Sequence, residues 1–512
     1  MKKLFAAIDV GSYELGMKIF ELGGKTGIKE IDHVRHRIDL GDDTFHEGMI
    51  SFRLMDELCE ILKGFVEIME GYHIEKYQAY GTSAIRETVN TNVVLDQIRL
   101  RTGLEVRVLS NSEQRFFEYK AVALRGEQFE QFIEKGTAFI DIGGGSTQVS
   151  LFDQGHLISS VNLHLGILRI RDKISALEPN YSRYEGYVTE LVNNELHTFK
   201  RIYLSNYRIE NVIVVDDYIS PVVNQIAREN GVEDVTAEMY QRHLNEVTKK
   251  APMGLARSLG IPEENASLFM PAAIIVSRIL SGTGAKRLWF PGVSLADGIA
   301  YDFAERNKYV ASSHDFEKDI LSAAENLAKR YCCSDTISGE LVNASLSIFD
   351  GTRKIHGLTK RERLLLHLSA RLRDVGKFVT LSSPAEVSYA IIMGTEIIGL
   401  SHAERKVVAT VVKNSYPNNI SYDEFAEQDF ESRDYRAAVK LAAILRVATG
   451  LARSTHREYR NIKSAIKGRE LLITVDTDDQ LLLEKGLFFE RSDTFEEVFG
   501  LKPVLKVKGG RA

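Results

Sequence analysis

The sequence predicts an α/β protein of two similar lobes, followed by an α-helical domain and a small α+β tail. A strand–turn–strand unit at residues 4–20 recurs at residues 137–152, and in both copies an aspartate precedes a glycine turn. Apolar side chains follow helical spacing over most of residues 315–451, and short alternating runs typical of strands return at 470–508. These observations indicate an internally duplicated fold with two C-terminal additions.

The first lobe is predicted to mix strands and helices. Residues 4–10 form an apolar run that indicates a buried strand, and the alternating residues 17–22 indicate an antiparallel return strand. Apolar residues at helical spacing between residues 51 and 71 predict a helix. The remaining predicted elements are a strand near 76–80, a helix reaching 97–100, a strand near 106–109 and a helix near 112–125.

The second lobe is predicted to restart this pattern. Residues 137–142 indicate a strand, residues 143–146 a turn and residues 148–152 the returning strand. Residues 212–215 and 288–292 are interpreted as further strands of this lobe. The predicted domains are lobe I at 1–124, lobe II at 125–312, the helical domain at 313–435 and the α+β tail at 436–512.

Composition excludes several classes of protein. The 44% hydrophobic and 27% charged residues are typical of a globular chain, and a formal net charge of -6 argues against general DNA binding. No run approaches the roughly 18 apolar residues of a membrane-spanning helix, so no membrane association is expected. The three cysteines match no zinc-site spacing and suit a reducing compartment, which predicts a cytoplasmic protein.

The two glycine turns are candidate phosphate sites, because tight glycine turns direct backbone N–H groups toward one anion. Asp9 and Asp141 stand just before the turns, where their carboxylates are predicted to hold Mg2+. Each turn alone is also explained as an ordinary hairpin turn, but their matched positions in two repeats favour the functional interpretation. The predicted phosphate-binding residues of the turns are Gly11, Ser12, Gly143, Gly144, Gly145 and Ser146.

A third candidate segment starts at Gly81 and continues through Thr82 and Ser83 to Arg86. Hydroxyl and amide groups at a helix start face an anion, and an arginine fork suits phosphate. The alternative is a plain helix cap in which Arg86 pairs with Glu87 or Glu113.

These motifs carry a family resemblance. The segments 9–12, 82–86 and 141–147 resemble, in order and spacing, the hallmarks of the exopolyphosphatase/guanosine-pentaphosphate phosphohydrolase family (Ppx/GppA), and 165–169 resembles its next segment. The resemblance implies actin/Hsp70-like (ribonuclease-H-like) lobes, and residues 348–448 follow the pattern of an HD-like helical domain. It also implies Mg2+-dependent removal of terminal phosphate from inorganic polyphosphate or from pppGpp. The partners it implies are inorganic polyphosphate or guanosine penta- or tetraphosphate, and a second copy of the chain in a homodimer.

The sequence departs from the family pattern at several site positions. Tyr13 replaces an asparagine, and Gln148 replaces a glutamate of the acidic cluster. An ungapped match places Gln114 on the family's general base, whereas a shift by one residue makes Glu113 the carboxylate. Because that shift turns a helical side chain by about 100°, the two residues cannot serve equally. We expect Glu113 to be catalytic with Asp141 and Gln148, and the alternative is that Glu113 caps its helix.

The later parts of the chain depart as well. After the strand at 212–215 the family has a glycine turn, but Asp216 and Asp217 stand here. The His-Asp pair of the HD-like pattern is replaced by Arg373 and Asp374, so this domain is predicted to bind no metal. The remaining candidate histidines, His367, His402 and His456, are interpreted as ordinary surface or core histidines. A basic wall is predicted from Arg361, Arg363, Arg371, Arg373 and Lys377, with a solvated helix face as the alternative.

Three functions are compatible with these features. The favoured one is a Mg2+-dependent hydrolase that shortens polyphosphate or pppGpp from its end. The second is a regulatory protein that binds polyphosphate or an alarmone with little or no turnover. The third, an actin-like ATPase or chaperone, is disfavoured by the segment 82–86 and by the missing glycine turn after residue 215.

Overall fold

The structure is a computed structural model and divides into two compact units, Met1–Asp319 and Ile320–Ala512. The predicted boundaries inside these units stay predictions, although one helix, Ser432–Ala448, runs through the predicted division at 435/436. Asp217, Arg453 and His456 lie outside the described residues. Those residues are 3–23, 27–177, 184–204, 207–216, 218–219, 223, 226–228, 231–232, 235–247, 263–311, 314–416, 431–452, 459–479 and 481–509.

Two sheets form the framework of the first unit. The sheet of lobe I has the order β3-β2-β1-β4-β5, and that of lobe II the order β10-β11-β9-β6-β7-β8. The strands of lobe I are β1 (Lys3–Val10), β2 (Glu14–Leu22), β3 (Ile28–Arg37), β4 (Tyr77–Gly81) and β5 (Val106–Val108). Those of lobe II are β6 (Thr137–Ile142), β7 (Thr147–Asp153), β8 (His156–Leu163), β9 (Asn211–Val215), β10 (Val235–Thr236) and β11 (Arg287–Trp289).

Helices cover these sheets. Those before β6 are α1 (Leu40–Asp42), α2 (Phe52–Gly71), α3 (Ser83–Glu87), α4 (Thr91–Thr102), α5 (Asn111–Ala123) and α6 (Glu127–Ile133). Those after β8 are α7 (Ile167–Leu177), α8 (Tyr184–Phe199), α9 (Ala237–Val247), α10 (Glu263–Thr283), α11 (Leu295–Arg306) and α12 (Phe316–Arg330), the last of which extends into the second unit. Short π-helical turns occupy Asp43–Glu47 and Lys200–Leu204.

The predicted duplication is confirmed by strand pairing. β1 pairs antiparallel with β2 and parallel with β4, and β6 pairs antiparallel with β7 and parallel with β9. Alternate side chains of β1 pack into two different hydrophobic clusters, one on each face of the sheet, because successive residues of a strand point to opposite faces. Ala6, Ile8 and Val10 join the core under α2, whereas Phe5 and Ala7 pack toward α11. The sheet of lobe I is therefore covered on both faces, which fixes the position of its strand ends.

The second unit is mainly helical, as predicted, and ends in a three-stranded sheet of order β12-β13-β14. After α12 its helices are α13 (Asp335–Gly351), α14 (Arg353–His356), α15 (Lys360–Leu372), α16 (Pro384–Gly394), α17 (His402–Asn414), α18 (Ser432–Ala448), α19 (Leu482–Glu490) and α20 (Asp493–Phe499), with a 3-10 turn at Val375–Phe378. Its strands are β12 (Asn461–Lys467), β13 (Glu470–Asp476) and β14 (Lys502–Lys508). Among the described residues, no helix combines the length and the apolar character needed to cross a bilayer.

The residues that replace the His-Asp pair form an internal ion pair. The Arg373 guanidinium lies 2.6 Å from the Asp374 carboxylate and 3.9 Å from the centre of the Tyr416 ring. Burial raises the pKa of Asp374, but the charges of Arg373 and Lys377 outweigh that effect and hold the pKa below its ordinary value. Arg373 therefore neutralises a largely buried aspartate within the unit, and the absence of a metal here stays a prediction.

The predicted basic wall is made of charges that are paired within the unit. Arg361 contacts Glu404 at 2.6 Å, Arg363 contacts Asp350 at 2.8 Å, Lys377 contacts Asp374 at 2.7 Å, and Arg371 donates to the Ser338 hydroxyl at 3.0 Å. His367 is partly buried, and burial with the charge of Arg371 lowers its pKa to about 4. His402 is exposed. The structure thus favours the interpretation of this face as a self-paired helix surface.

A buried polar cluster includes Asp319, the last residue of the first unit. His314 Nδ1 lies 2.7 Å from Glu130, and His314 Nε2 lies 2.6 Å from Asp319 and 2.7 Å from the Tyr119 hydroxyl. The Leu157 N–H also donates to Asp319, at 3.2 Å. Burial lowers the pKa of His314, but the hydrogen bonds and charges of Asp319 and Glu130 outweigh it and raise that pKa. Protonated His314 therefore stabilises the folded unit.

His314→Gln is expected to change how stability depends on pH. Because the pKa of His314 is higher in the folded than in the unfolded state, protonation stabilises the fold. This stabilisation is complete below about pH 6.5, the histidine pKa in the unfolded chain, and is lost as the pH rises through the pKa of the folded state. The melting temperature of the native protein should therefore exceed that of the variant most at pH 6 and least at pH 9, measured by circular dichroism. Exposed His197→Gln is the control and should leave the native pH profile unchanged. An equal difference between native protein and His314→Gln at both pH values would contradict this account.

Candidate active site

One cavity of the first unit is lined by both glycine turns. Strand β1 and its turn contribute Asp9, Gly11 and Ser12, and strand β6 and its turn contribute Asp141, Gly143 and Gly144. Thr82 and Ser83, between β4 and α3, also line it. The structure thus brings the three predicted segments to one place, and Asp9 and Asp141 face the same cavity.

The turns of the two lobes are in direct contact. A Cβ atom on Gly144 would lie 3.3 Å from Ser12 Cβ, and one on Gly145 would lie 2.9 Å from Ser83 Cβ, so a side chain at either position would crowd lobe I. Within lobe I, the Ser12 hydroxyl lies 2.8 Å from the Ser83 hydroxyl and accepts the Ala84 N–H at 3.1 Å, which joins the first turn to the start of α3.

The segment 165–169 supports the triple-glycine turn from behind. The N–H groups of Ile167 and Leu168 donate to the carbonyl oxygens of Gly143 and Gly144, at 3.2 and 3.0 Å. The Arg169 guanidinium donates to the Gly145 carbonyl at 2.8 Å. The start of α7 thus fixes the turn's carbonyl groups on the side away from the cavity.

Three predicted phosphate ligands do not line the cavity. Arg86 donates to the Leu109 carbonyl at 2.8 Å, which ties α3 to the residues before α5. Gly145 packs against Ser83, and the Ser146 carbonyl accepts the Gly143 N–H at 2.9 Å within the turn. Their contacts shape the turns.

The structure favours the capping interpretation of Glu113. Its carboxylate accepts the Ser110 N–H at 3.0 Å and the Ser110 hydroxyl at 2.9 Å, completing a capping box at the start of α5. It also lies 2.9 Å from the guanidinium of exposed Arg107. Gln114, not Glu113, lines the cavity.

Sequence reasoning missed Glu118, which lies one helical turn after Gln114 and lines the same cavity. It is only 4% exposed, and the Gln114 amide donates to it at 3.2 Å. Burial, the charge of Asp141, a hydrogen bond with Asp141 and the charge of Asp9 raise the pKa of Glu118 well above its ordinary value. The available signal was its spacing, because residues i and i+4 share a helix face.

Gln148 lies beside Asp141 but is not among the residues that line the cavity. It is paired directly opposite Asp141 in the β6–β7 ladder and is 2% exposed. Its amide oxygen accepts from the Arg115 guanidinium at 2.7 Å, and Arg115 is fully buried. A neutral glutamine here accepts from a buried arginine without adding another negative charge beside Asp141.

Aromatic and acidic groups also line the cavity. The rings of Tyr13 and Tyr218 are 6.4 Å apart, and both residues line the cavity. Asp216, which replaces the family's glycine turn, also lines it and accepts the N–H groups of Tyr218, at 2.9 Å, and Ile219. Asp216 thus builds the turn through its side chain.

The acids of the cavity could serve a hard divalent cation. Asp9 and Asp141 offer carboxylate oxygens, and Mg2+ is commonly held by one or two carboxylates with several waters. Burial and the negative charges of Asp141 and Asp9 raise the pKa of Glu118, and a cation would relieve that repulsion. The chemistry of these residues therefore fits a magnesium ion.

Comparison with known proteins identifies the family of this chain. Residues 20–307 match the model of the Ppx/GppA phosphatase family, and residues 321–490 match that of Ppx/GppA phosphatase domain III. A guanosine-5'-triphosphate,3'-diphosphate pyrophosphatase of Photobacterium profundum is 18% identical over 92% of this chain and 91% of its own length.

Two solved structures have the same fold over the N-terminal part of the chain. An exopolyphosphatase from Cytophaga hutchinsonii is 17% identical, with a TM-score of 0.52, and the match covers 61% of this chain and 100% of that one. A Ppx/GppA family member from Aquifex aeolicus is 18% identical, with a TM-score of 0.50, and the match covers 60% and 99%. With family models matching both the lobes and the region beyond them, this chain belongs to the Ppx/GppA phosphatase family.

Proposed function

We propose that this chain hydrolyses phosphoanhydride bonds with Mg2+, releasing the terminal phosphate of inorganic polyphosphate or of pppGpp in the cavity between its two lobes. The observation that carries the proposal is the convergence of three carboxyl groups, Asp9, Glu118 and Asp141, with two glycine turns. Family membership and the names of the relatives from Photobacterium profundum and Cytophaga hutchinsonii support the substrate class.

The glycine turns are proposed to hold the terminal phosphate. Gly11 and Gly143 close the two turns by donating their N–H groups to the Glu14 and Ser146 carbonyl oxygens. The next residues, Ser12 in lobe I and Gly144 in lobe II, are the proposed backbone donors, and Thr82 and Ser83 supply hydroxyl groups. Donors fixed before the reaction stabilise the charge that grows on the transferring phosphoryl group. Arg86, Gly145 and Ser146 act indirectly, through the turn contacts described above.

Glu118 is proposed to orient and deprotonate the attacking water. The water oxygen bonds to the terminal phosphorus while the bridging P–O bond breaks, and the electron pair of that bond leaves with the shortened chain. The water proton passes to the Glu118 carboxylate. Burial and the negative charges of Asp141 and Asp9 raise the pKa of Glu118, and a bound cation would lower it toward the range in which the carboxylate is free to take a proton.

Asp9 and Asp141 are proposed to hold Mg2+, which when bound supplies positive charge to phosphate oxygens. Glu118 is hydrogen-bonded to Asp141 and is also influenced by the charge of Asp9. The proposal does not require Glu118 to bind the metal ion directly.

A binding protein with little turnover is the second candidate. Gln114 and Gln148 stand where the family has acids, and Arg115 occupies the interior next to Gln148. Phosphate release by the native protein separates the candidates, since a sensor binds polyphosphate without shortening it.

Glu118→Gln is expected to lower phosphate release by about 100-fold or more while polyphosphate still binds, because an amide orients water but does not take its proton. Release is measured with a phosphate-specific dye and binding by isothermal titration calorimetry.

Glu113→Gln is the matched control, the same chemical change on the same helix. Glutamine keeps the capping box, so stability and release should stay close to native. Full activity in Glu118→Gln, together with a large loss in Glu113→Gln or a gain in Gln114→Glu, would overturn the assignment of Glu118.

Asp9→Asn and Asp141→Asn should each raise the Mg2+ concentration for half-maximal release by about tenfold or more, since each removes a charged ligand. Direct Mn2+ binding, followed by electron paramagnetic resonance, should weaken in parallel. Exposed Asp96→Asn, on α4, is the control. Unaltered Mn2+ affinity in both cavity variants would remove these residues from the metal site.

A further inference from the structure

The cavity continues across the sheet of lobe I toward its edge strand. In the ladder, Asp9 of β1 pairs with Gly16 of β2, and Gly16 pairs with Arg35 of β3. Directly opposed residues point to the same face of a sheet. Asp9, Gly16 and Arg35 therefore form one row on the cavity side, and all three line the cavity.

Gly16 leaves an open passage in this row. A Cβ atom built on Gly16 would meet nothing within 4 Å, unlike one on Gly144 or Gly145 in the turn. Packing in the sheet therefore does not demand glycine at this position. Because Gly16 has no side chain, there is free space between the Asp9 carboxylate and the Arg35 side chain.

Strand β3 presents basic groups to this passage. His33 and Arg35 line the cavity, whereas the intervening Val34 packs on the opposite face against the core under α2. The next residue of the same face, Arg37, lies 4.6 Å from the centre of the Tyr13 ring. The face of β3 toward the cavity is therefore basic.

The cations of this face are held in ion pairs with neighbouring acids. Glu14, also at the cavity, lies 2.5 Å from Arg35. Lys18, which pairs with His33 across the ladder, is bound to Asp297 at 2.9 Å and to Glu30 at 3.0 Å. The Arg35 guanidinium is therefore positioned at the cavity by a carboxylate, the kind of oxygen anion whose place a phosphate group can take.

We propose that Arg35 and His33 form an accessory subsite, reached over Gly16, for the phosphate groups that follow the terminal one in a linear polyphosphoryl chain. The inference rests on the proposed function and adds where the rest of the substrate lies. Adjacent strands are about 4.8 Å apart, so Asp9 and Arg35 are about 10 Å apart along the row. An arginine side chain spans part of that distance, and its planar fork matches phosphate oxygens.

The test uses Arg35→Gln and a series of substrates, from tripolyphosphate to long-chain polyphosphate, with pppGpp as the nucleotide case. The loss of kcat/KM should grow with chain length and reach about tenfold, the effect of one partly exposed charge-assisted hydrogen bond. Lys29→Gln, on the same strand but away from the cavity, is the matched control and should match the native protein at every length. Equal loss at all lengths, or none with long chains, would overturn the subsite. Loss with polyphosphate but not with pppGpp would assign it to inorganic chains.

Gly16→Val tests the passage without changing any charge. Valine suits a strand, and there is open space at this position, so the melting temperature should not fall. The side chain should nevertheless obstruct the passage and reproduce the length-dependent loss. A stable Gly16→Val protein with native kinetics on long chains would contradict the proposed path.

Binding separates this inference from the proposed function. If the native protein binds long-chain polyphosphate in calorimetry but releases no phosphate, the hydrolase proposal fails. Weaker binding in Arg35→Gln than in Lys29→Gln would then still support the subsite. If the native protein binds no polyphosphate, both proposals fail together.

Discussion

The contact between the two glycine turns is the constraint on which the site depends. A Cβ atom would lie 3.3 Å from Ser12 Cβ if built on Gly144, and 2.9 Å from Ser83 Cβ if built on Gly145, so side chains there would push the lobes apart. Within lobe I, the Ser12 hydroxyl also bonds to the Ser83 hydroxyl and the Ala84 N–H, which holds the first turn against the start of α3. Because the aspartates stand at the strand ends just before the turns, this contact also brings Asp9 and Asp141 to one cavity.

The carboxyl groups of Asp9, Glu118 and Asp141 repel one another when they are charged, and neighbouring residues partly offset that cost. Glu118 is buried beside Asp141 and responds with a raised pKa, since like charges in a weakly polar interior favour the protonated form. Beside Asp141, a neutral Gln148 replaces a further acid and accepts from buried Arg115. The substitutions that depart from the family pattern thus lower the negative charge next to Asp141, while Glu118 keeps a carboxyl group at the cavity.

The overall architecture was predictable because it follows from local patterns. Alternation and glycine turns identified both strand–turn–strand units, and their pairing in the structure matches the duplication. Helical periodicity identified the second unit, but the predicted division at 435/436 falls within Ser432–Ala448. Such a boundary depends on which helices share a core, and no local pattern records that. The paired state of the basic residues on α15 likewise depends on acids distant in sequence, such as Glu404.

The sequence by itself determined the glycine turns and the aspartates before them. For the general base on α5 it left two competing candidates, Glu113 and Gln114, because nothing in the sequence distinguishes two alignments that differ by one residue. Only the tertiary structure decided the matter, since the direction of a helical side chain depends on how the whole helix packs. Packing of α5 turns Glu113 into the capping box and Gln114 toward the cavity, and therefore brings Glu118, one turn later, to Asp141.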